Sequence, residues 1–260
     1  LGLGDWPVAP AEPWTPAYAE RHREFVTRAL DDPSLLVALR AGRALPEGYG
    51  AGFDERVVEF PWTVTRDLRG RVLDAGSTLN HPHVLIRERP HVDELHVVTL
   101  APEQEAYPFL DVSYLYADLR ELPVQDATYD TAVSISTLEH VGMDNAQYGD
   151  ASPRSADAGA GRAAAMAELH RVLKPGGSLF VTVPYGRPDD LGWQQIFDAA
   201  GLQALVDAFG GTELEREFFR YEASGWRRAS QAEADGAVYH DHFADPAPPP
   251  DRAPAARAIA

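Results

Sequence analysis

From Arg71 onward, short apolar runs alternate with stretches of helical spacing. The runs Arg71–Asp74, Leu95–Leu100, Val112–Tyr116, Thr131–Ser136 and Ser178–Val183 are rich in β-branched and aromatic residues, which predicts five buried strands. Between the fourth and fifth runs, Gly161–Leu173 sets Met166, Leu169, Val172 and Leu173 on one helical face before Lys174-Pro175-Gly176-Gly177 stops it. Helix, turn and strand in that order make half of a parallel βαβ unit. Further on, Asp190 is expected to cap a helix over Leu191–Phe209, and Thr212–Tyr221 with Gly225–Ser230 is expected to form a hairpin at the sheet edge.

Ahead of the first run, a Pro-rich start gives way to helical spacing over Ala17–Leu30 and Ser34–Arg40. The chain therefore divides into a helical lead-in or cap over residues 1–70, an α/β domain over 71–245, and a Pro/Ala-rich tail over 246–260 expected to be disordered.

Composition narrows the function classes. Twenty-three basic residues against forty acidic ones leave a net charge of −17, a field that repels phosphate backbones and anionic headgroups. We therefore expect no nucleic-acid partner and no membrane partner; the pattern leaves the oligomeric state open. Without any cysteine, disulfides, thiolate metal sites and cysteine nucleophiles drop out together. No apolar run approaches the ~18 residues of a bilayer span, and a soluble, cytoplasmic protein is the expectation.

The first strand runs into Asp74-Ala75-Gly76-Ser77-Thr78-Leu79-Asn80, with a helix start expected at Asn80–Pro82. Open parallel sheets bind ligands at such carboxyl ends. The glycine permits close approach to the main chain, and the aspartate can accept from a loop N–H or from a ligand ammonium; an ordinary turn is the plainer reading. A nicotinamide fold would need G-x-G-x-x-G here, and only Gly76 is present, so hydride transfer is disfavoured. Three further segments follow in register. Tyr116-Ala117-Asp118-Leu119-Arg120 ends the third strand on an acid, Tyr129–Val141 reads YDTAVSISTLEHV, and Glu168–Gly177 reads ELHRVLKPGG.

With these segments the chain resembles the class I S-adenosylmethionine-dependent methyltransferases, over Arg71–Pro184 by motif and over Leu191–Ser230 by topology. The resemblance implies a Rossmann-like seven-stranded sheet of order 3-2-1-4-5-7-6 with helices on both faces, and S-adenosylmethionine as cofactor. Asp74, Ala75, Gly76, Ser77, Thr78 and Asn80 would then form the donor loop, with Asp74 and Gly76 beside the methionine moiety. Thr99 and Leu100 would follow the second strand, Asp118, Leu119 and Arg120 would meet adenine, and Ser136 and Thr137 would lie beneath the sulfonium. Two departures stand out. The second loop glycine is missing from GSTLN, and the acid that usually takes the ribose hydroxyls after the second strand is absent, with Thr99 or Glu103 as substitutes.

Methyl transfer to a hydroxyl needs alignment and a base. His140, just past the fourth strand, is the expected base and Glu139 its companion; a packing histidine is the alternative. No metal site is expected. Where related ubiquinone-pathway enzymes hold a cation with Glu-x-x-Glu-His, the first glutamate is Ser136 here. Asp144-Asn145 reads as a turn or cap, His81-x-His83 as a helix start, and His240-Asp241-His242 as a solvated or substrate-side loop. Arg220, Arg227 and Arg228 offer a carboxylate or phosphate clamp, or else solvated edge charges. Acceptor pockets are expected at Trp6, Trp14 and Tyr18, at the loop Gly142–Ala160 as a lid, and at Tyr185–Gln195 with Trp193; aromatics that only pin the N-terminal arm, and a disordered loop, are the alternatives. The expected activity is methyl transfer to a small-molecule acceptor, oxygen favoured. The alternative keeps the fold with a degenerate donor loop, as a binding protein or a catalyst of another reaction.

Overall fold

Five strands pair in parallel: β1 (Arg71–Ala75), β2 (Glu94–Thr99), β3 (Val112–Tyr116), β4 (Tyr129–Ile135) and β5 (Leu173–Thr182), in the order β3-β2-β1-β4-β5. In this computed structural model the described residues are 6–10, 12–88, 91–103, 105–146, 154–247, 249–251 and 255–260. The central strand is covered on both faces, so Val72 and Leu73 are fully buried and the alternation of a one-sided strand is absent. Burial of each is worth about 2 kcal/mol. β4 is apolar for the same reason, with Ala132, Val133 and Ile135 buried, and it pairs with β1 from Val72↔Thr131 to Asp74↔Val133.

The chain divides into two compact units. The sheet unit comprises Asp67–Val183 and Pro188–Leu214; the helical unit comprises the chain up to Arg66, Pro184–Arg187 and Glu215–Ala260.

In the sheet unit, the helix α5 (Ala158–Val172) is capped by Asp157, which accepts from Ala160 N, and buries Ala165, Met166, Leu169 and Val172. Gly176, at φ +79°, turns the chain within β5, and the β4–β5 register shifts between Tyr129↔Leu173 and Thr131↔Ser178. The expected helix over Leu191–Phe209 is shorter. Asp198, not Asp190, caps it through Gly201 N at 2.8 Å, giving α6 (Ala199–Phe209). Asp190 instead accepts from Gly192 N and belongs to a two-stranded turn, β6 (Asp189–Asp190) against β7 (Gln195–Ile196). The helix start read at Asn80–Pro82 is present as α4 (Pro82–Glu88).

The helical unit opens with α1 (Pro16–Leu30) and α2 (Pro33–Arg40). Each has proline in its first turn and a side-chain cap, Thr15 to Tyr18 N and Asp32 to Ser34 N. A third helix, α3 (Arg56–Val64), joins the two expected from helical spacing, with Pro61 inside it. The expected hairpin exists as β8 (Phe218–Glu222) and β9 (Gly225–Ala229), but it does not extend the parallel sheet. It joins β10 (Ala258–Ile259) in a separate antiparallel sheet of order β10-β8-β9, so the seven-stranded order is not seen. The expected disorder of 246–260 is corrected in part by the same pairing. Ala258 and Ile259 are buried, and Tyr185 N donates to Ala258 O. A short apolar end supplies β8 with the edge partner it would otherwise lack. Trp226 ties this sheet to the helices, donating from Nε1 to Phe53 O and from its backbone N to Tyr49 O.

Candidate functional site

At the carboxyl end of β1 the chain turns on Asp74. Its carboxylate is fully buried and accepts from Thr78 N at 3.1 Å and Leu79 N at 2.7 Å, so the acid that ends the strand also winds the bend that follows. The loop N–H reading of this residue is the one the geometry displays. Thr78 Oγ1 then donates to Ile135 O, fastening the bend to the end of β4. Gly76 sits at φ +124° and donates to Val98 O on β2. A methyl group placed on it would lie 2.0 Å from Thr137 Oγ1, so the glycine is required by the side chain stacked on it as well as by its backbone angle.

Past the ends of β1 and β4 the backbone has a positive φ at two non-glycine residues, Ser77 at +65° and Ser136 at +42°. Ser136 is held there by Thr182, whose backbone carbonyl accepts from Ser136 N at 2.9 Å.

Glu103, in the loop after β2, crosses to the bend. Its Oε2 accepts from Ser77 Oγ at 2.8 Å and from Asn80 Nδ2 at 2.9 Å. Asn80 is in turn held by Tyr114 of β3, whose hydroxyl donates to Asn80 Oδ1. Glu103, one of the two substitutes read from the sequence, thus lies against the bend after β1. Tyr114 has no local sequence signal as a site residue; only the β2–β3 pairing Val97↔Tyr114 places it under the bend.

Asp118 leaves β3 and is chelated by its own near neighbour: Arg120 donates from Nε and from its backbone N, and also from Nη2. Burial works against ionisation there, but the Arg120 bonds prevail and hold the Asp118 carboxyl below the usual aspartate range. Ala75 and Leu119 are buried, Thr99 O accepts from Ala117 N, and Leu100 and Tyr116 present exposed apolar surface at 36 % and 52 %.

Beyond β4, residues Leu138–His140 form a single 3-10 turn. His140 Nδ1 lies 3.0 Å from Trp193 O, and the two rings stack with centroids 5.6 Å apart. A carbonyl only accepts, so Nδ1 carries the proton and Nε2 is the basic nitrogen of the neutral ring. Glu139 Oε1 lies 3.9 Å from that Nε2 and its side chain is 3 % exposed. Trp193, read from sequence as a pocket aromatic, therefore also orients the candidate base. Asn145 Nδ2 donates to His140 O, and Asp144 N to Gly192 O. Of the expected lid Gly142–Ala160, residues 147–153 lie outside the described residues.

Trp6 and Tyr18 are packing residues of the helical unit: Trp6 lies against Phe25 at 4.8 Å, and Tyr18 hydrogen-bonds Asp54. His81 and His83 stack on each other at 5.7 Å. Among the described residues no three His, Asp or Glu side chains are grouped to hold a metal ion. Likewise, no helix among them is long and apolar enough to cross a membrane.

A parallel sheet of order 3-2-1-4-5, with an acid-glycine bend after its central strand, defines a Rossmann-like α/β fold. Residues 92–181, about a third of the chain, match the family described as methyltransferase domain. The matched stretch takes in β2, β3, β4 and nearly all of β5; the bend 74–80 precedes it.

Among solved structures, the YcgJ protein from Bacillus subtilis is similar at 18 % identity over 72 % of this chain and 74 % of that one, with a TM-score of 0.46. An S-adenosylmethionine-dependent methyltransferase from Thermotoga maritima is similar at 17 % identity over 84 % and 85 %, TM-score 0.42. The [4+2]-cyclase SpnF is similar at 20 % identity over 85 % and 80 %, TM-score 0.48. No curated protein matches the chain.

Proposed function

We propose that this protein transfers a methyl group from S-adenosylmethionine to an oxygen of a small-molecule acceptor. The observation that carries the reading is the knot at the strand ends, where Glu103, Ser77, Asn80 and Tyr114 hold the bend after β1 against the ends of β2 and β3. Its chemistry suits an adenosyl sulfonium. Glu103 offers a carboxylate for ribose hydroxyls, Leu100 and Tyr116 offer apolar surface for a flat base, and Asp118 with Leu119 offers an acceptor for an exocyclic amine. Asp74, Ala75, Gly76, Ser77, Thr78 and Asn80 form the donor loop, Thr99 closes β2, Arg120 neighbours the adenine side, and Ser136 and Thr137 lie below the sulfonium. When bound, S-adenosylmethionine supplies the electrophilic methyl.

The remaining work falls to His140. With Nδ1–H committed to Trp193 O, its Nε2 takes the acceptor hydroxyl proton, and the buried Glu139 carboxylate beside it favours the imidazolium so formed. Calorimetry with S-adenosylhomocysteine should give saturable binding at one site; no binding removes the proposal. His140→Gln should keep that affinity while turnover falls about 100-fold, and unaltered turnover would retire it as the base.

One observation favours a second reading. Asp74 gives both oxygens to bend amides and the Thr137 side chain lies on Gly76, so the protein's own groups fill contacts that a ligand would use. On this reading the fold binds the nucleoside without methyl transfer, or runs another reaction. Bound S-adenosylmethionine with no S-adenosylhomocysteine released across a hydroxyl-acceptor panel would favour it.

A further inference from the structure

The antiparallel sheet of the helical unit carries a cavity of about 310 Å³, lined chiefly by Arg220, Ala237, Val238, Tyr239, His240 and Arg257. That volume is at the lower end of small-molecule sites, roughly 300–1,000 Å³. In a chain of net charge −17, a cavity edged by two guanidinium groups and an imidazole is out of keeping with its surroundings.

The pairing of nearby charges sharpens the contrast. Arg228 pairs with Glu217, Arg227 with Glu222 and Glu233, and Arg257 with Asp251 in a two-pronged contact. The other local acids are also committed: Asp235 accepts from Tyr185 Oη, and Asp241 from Phe243 N and Ala244 N. Arg220 alone of these arginines has no carboxylate partner among the described residues; it donates only to the backbone carbonyl of Glu233. His240, which also lines the cavity, has its backbone N on Ala255 O and no side-chain hydrogen-bond partner among the described residues.

We propose that this cavity binds a small monocarboxylate with an apolar body, its carboxylate on Arg220 and His240. One guanidinium without a carboxylate partner, lining the same cavity as an imidazole, matches one negative charge. The surplus of acids elsewhere disfavours a dianion. Ala237, Val238 and the ring of Tyr239 supply carbon surface for the rest of the molecule. The inference is independent of methyl transfer, because every residue it uses belongs to the helical unit.

Benzoate, its neutral isostere benzamide and inorganic phosphate, each titrated into the full chain and followed by calorimetry, test it. Benzoate should bind saturably, with benzamide and phosphate at least about tenfold weaker, and Arg220→Gln should weaken benzoate by about tenfold or more while circular dichroism stays unchanged. If Arg220→Gln fails to fold, His240→Ala carries the same comparison, with an expected loss of about threefold to tenfold. Benzoate no tighter than benzamide, phosphate tighter than benzoate, or a folded variant binding as the parent does would each overturn the proposal.

Discussion

Two buried aspartates, one in each unit, solve the same problem in opposite ways. Asp74 satisfies its carboxylate within five residues, on the amides of Thr78 and Leu79. Asp54 accepts from Arg56 N at 3.1 Å but also reaches across more than thirty residues, to Tyr18 Oη at 3.0 Å and His22 Nε2 at 2.9 Å, and its backbone N donates back to that same hydroxyl. A carboxylate held by neighbouring amides shapes a loop. One held by side chains from another helix is a clasp between elements, and its loss strands those partners in the core.

The largest difference between the two should appear on truncation. Asp54→Ala is expected to lower stability by about 3–5 kcal/mol, because Tyr18 and His22 lose the carboxylate they share in the core. Asp74→Ala should lower it by about 2–3 kcal/mol and abolish nucleoside binding, since the bend loses its anchor. Urea midpoints of the two variants, with S-adenosylhomocysteine calorimetry on the second, decide this. An Asp74 cost above that of Asp54 would reverse the comparison.

A medium effect lies in pH. Burial, then Asp54 and Glu59, push the Glu55 carboxyl up to about 8. Burial draws the His22 imidazole down, but Asp54 more than offsets this and its value is raised. In both groups the folded state holds its proton more tightly than the unfolded chain. Stability that is full below the unfolded pKa is therefore lost as pH rises through the folded one. For Glu55 that window runs from its ordinary 4.5 to about 8. Glu55→Gln should flatten the fall of the urea midpoint across that window; an unchanged slope would show that Glu55 does not cause it. Asp54, lowered by His22 and Arg56 against its own burial, acts in the other direction and withdraws its contribution only in acid.

The smallest effect concerns Asp118. Its pair with Arg120 is half-exposed, so Arg120→Ala should change stability by less than about 1 kcal/mol. If Asp118 must exchange Arg120 for an adenine amine, the same variant should bind S-adenosylhomocysteine several-fold more tightly. Weaker binding would place the guanidinium, and not the carboxylate, on the ligand.

The same local-against-distant distinction explains what the sequence disclosed. Parallel strands buried on both faces appear as apolar runs, and the core of each of β1 to β4 can be read to within two residues of its ends. Asp74 and Gly76 are legible because their bend is closed by neighbours. Tyr114 beneath Asn80, the Trp193 carbonyl on His140 and the pairing of Ile259 with Phe219 are not, since each joins residues far apart in the chain. Helix α3 escaped because Pro61 reads as a break, although it occurs well inside the helix.

Ser77 and Ser136 have a further consequence. Non-glycine residues seldom hold a left-handed backbone, and each such position stores roughly 1 kcal/mol that only a firm surround can sustain. If the strand ends take a ligand, a rim wound in this way needs little additional ordering on binding, and selectivity there rests on shape and water release more than on loop settling.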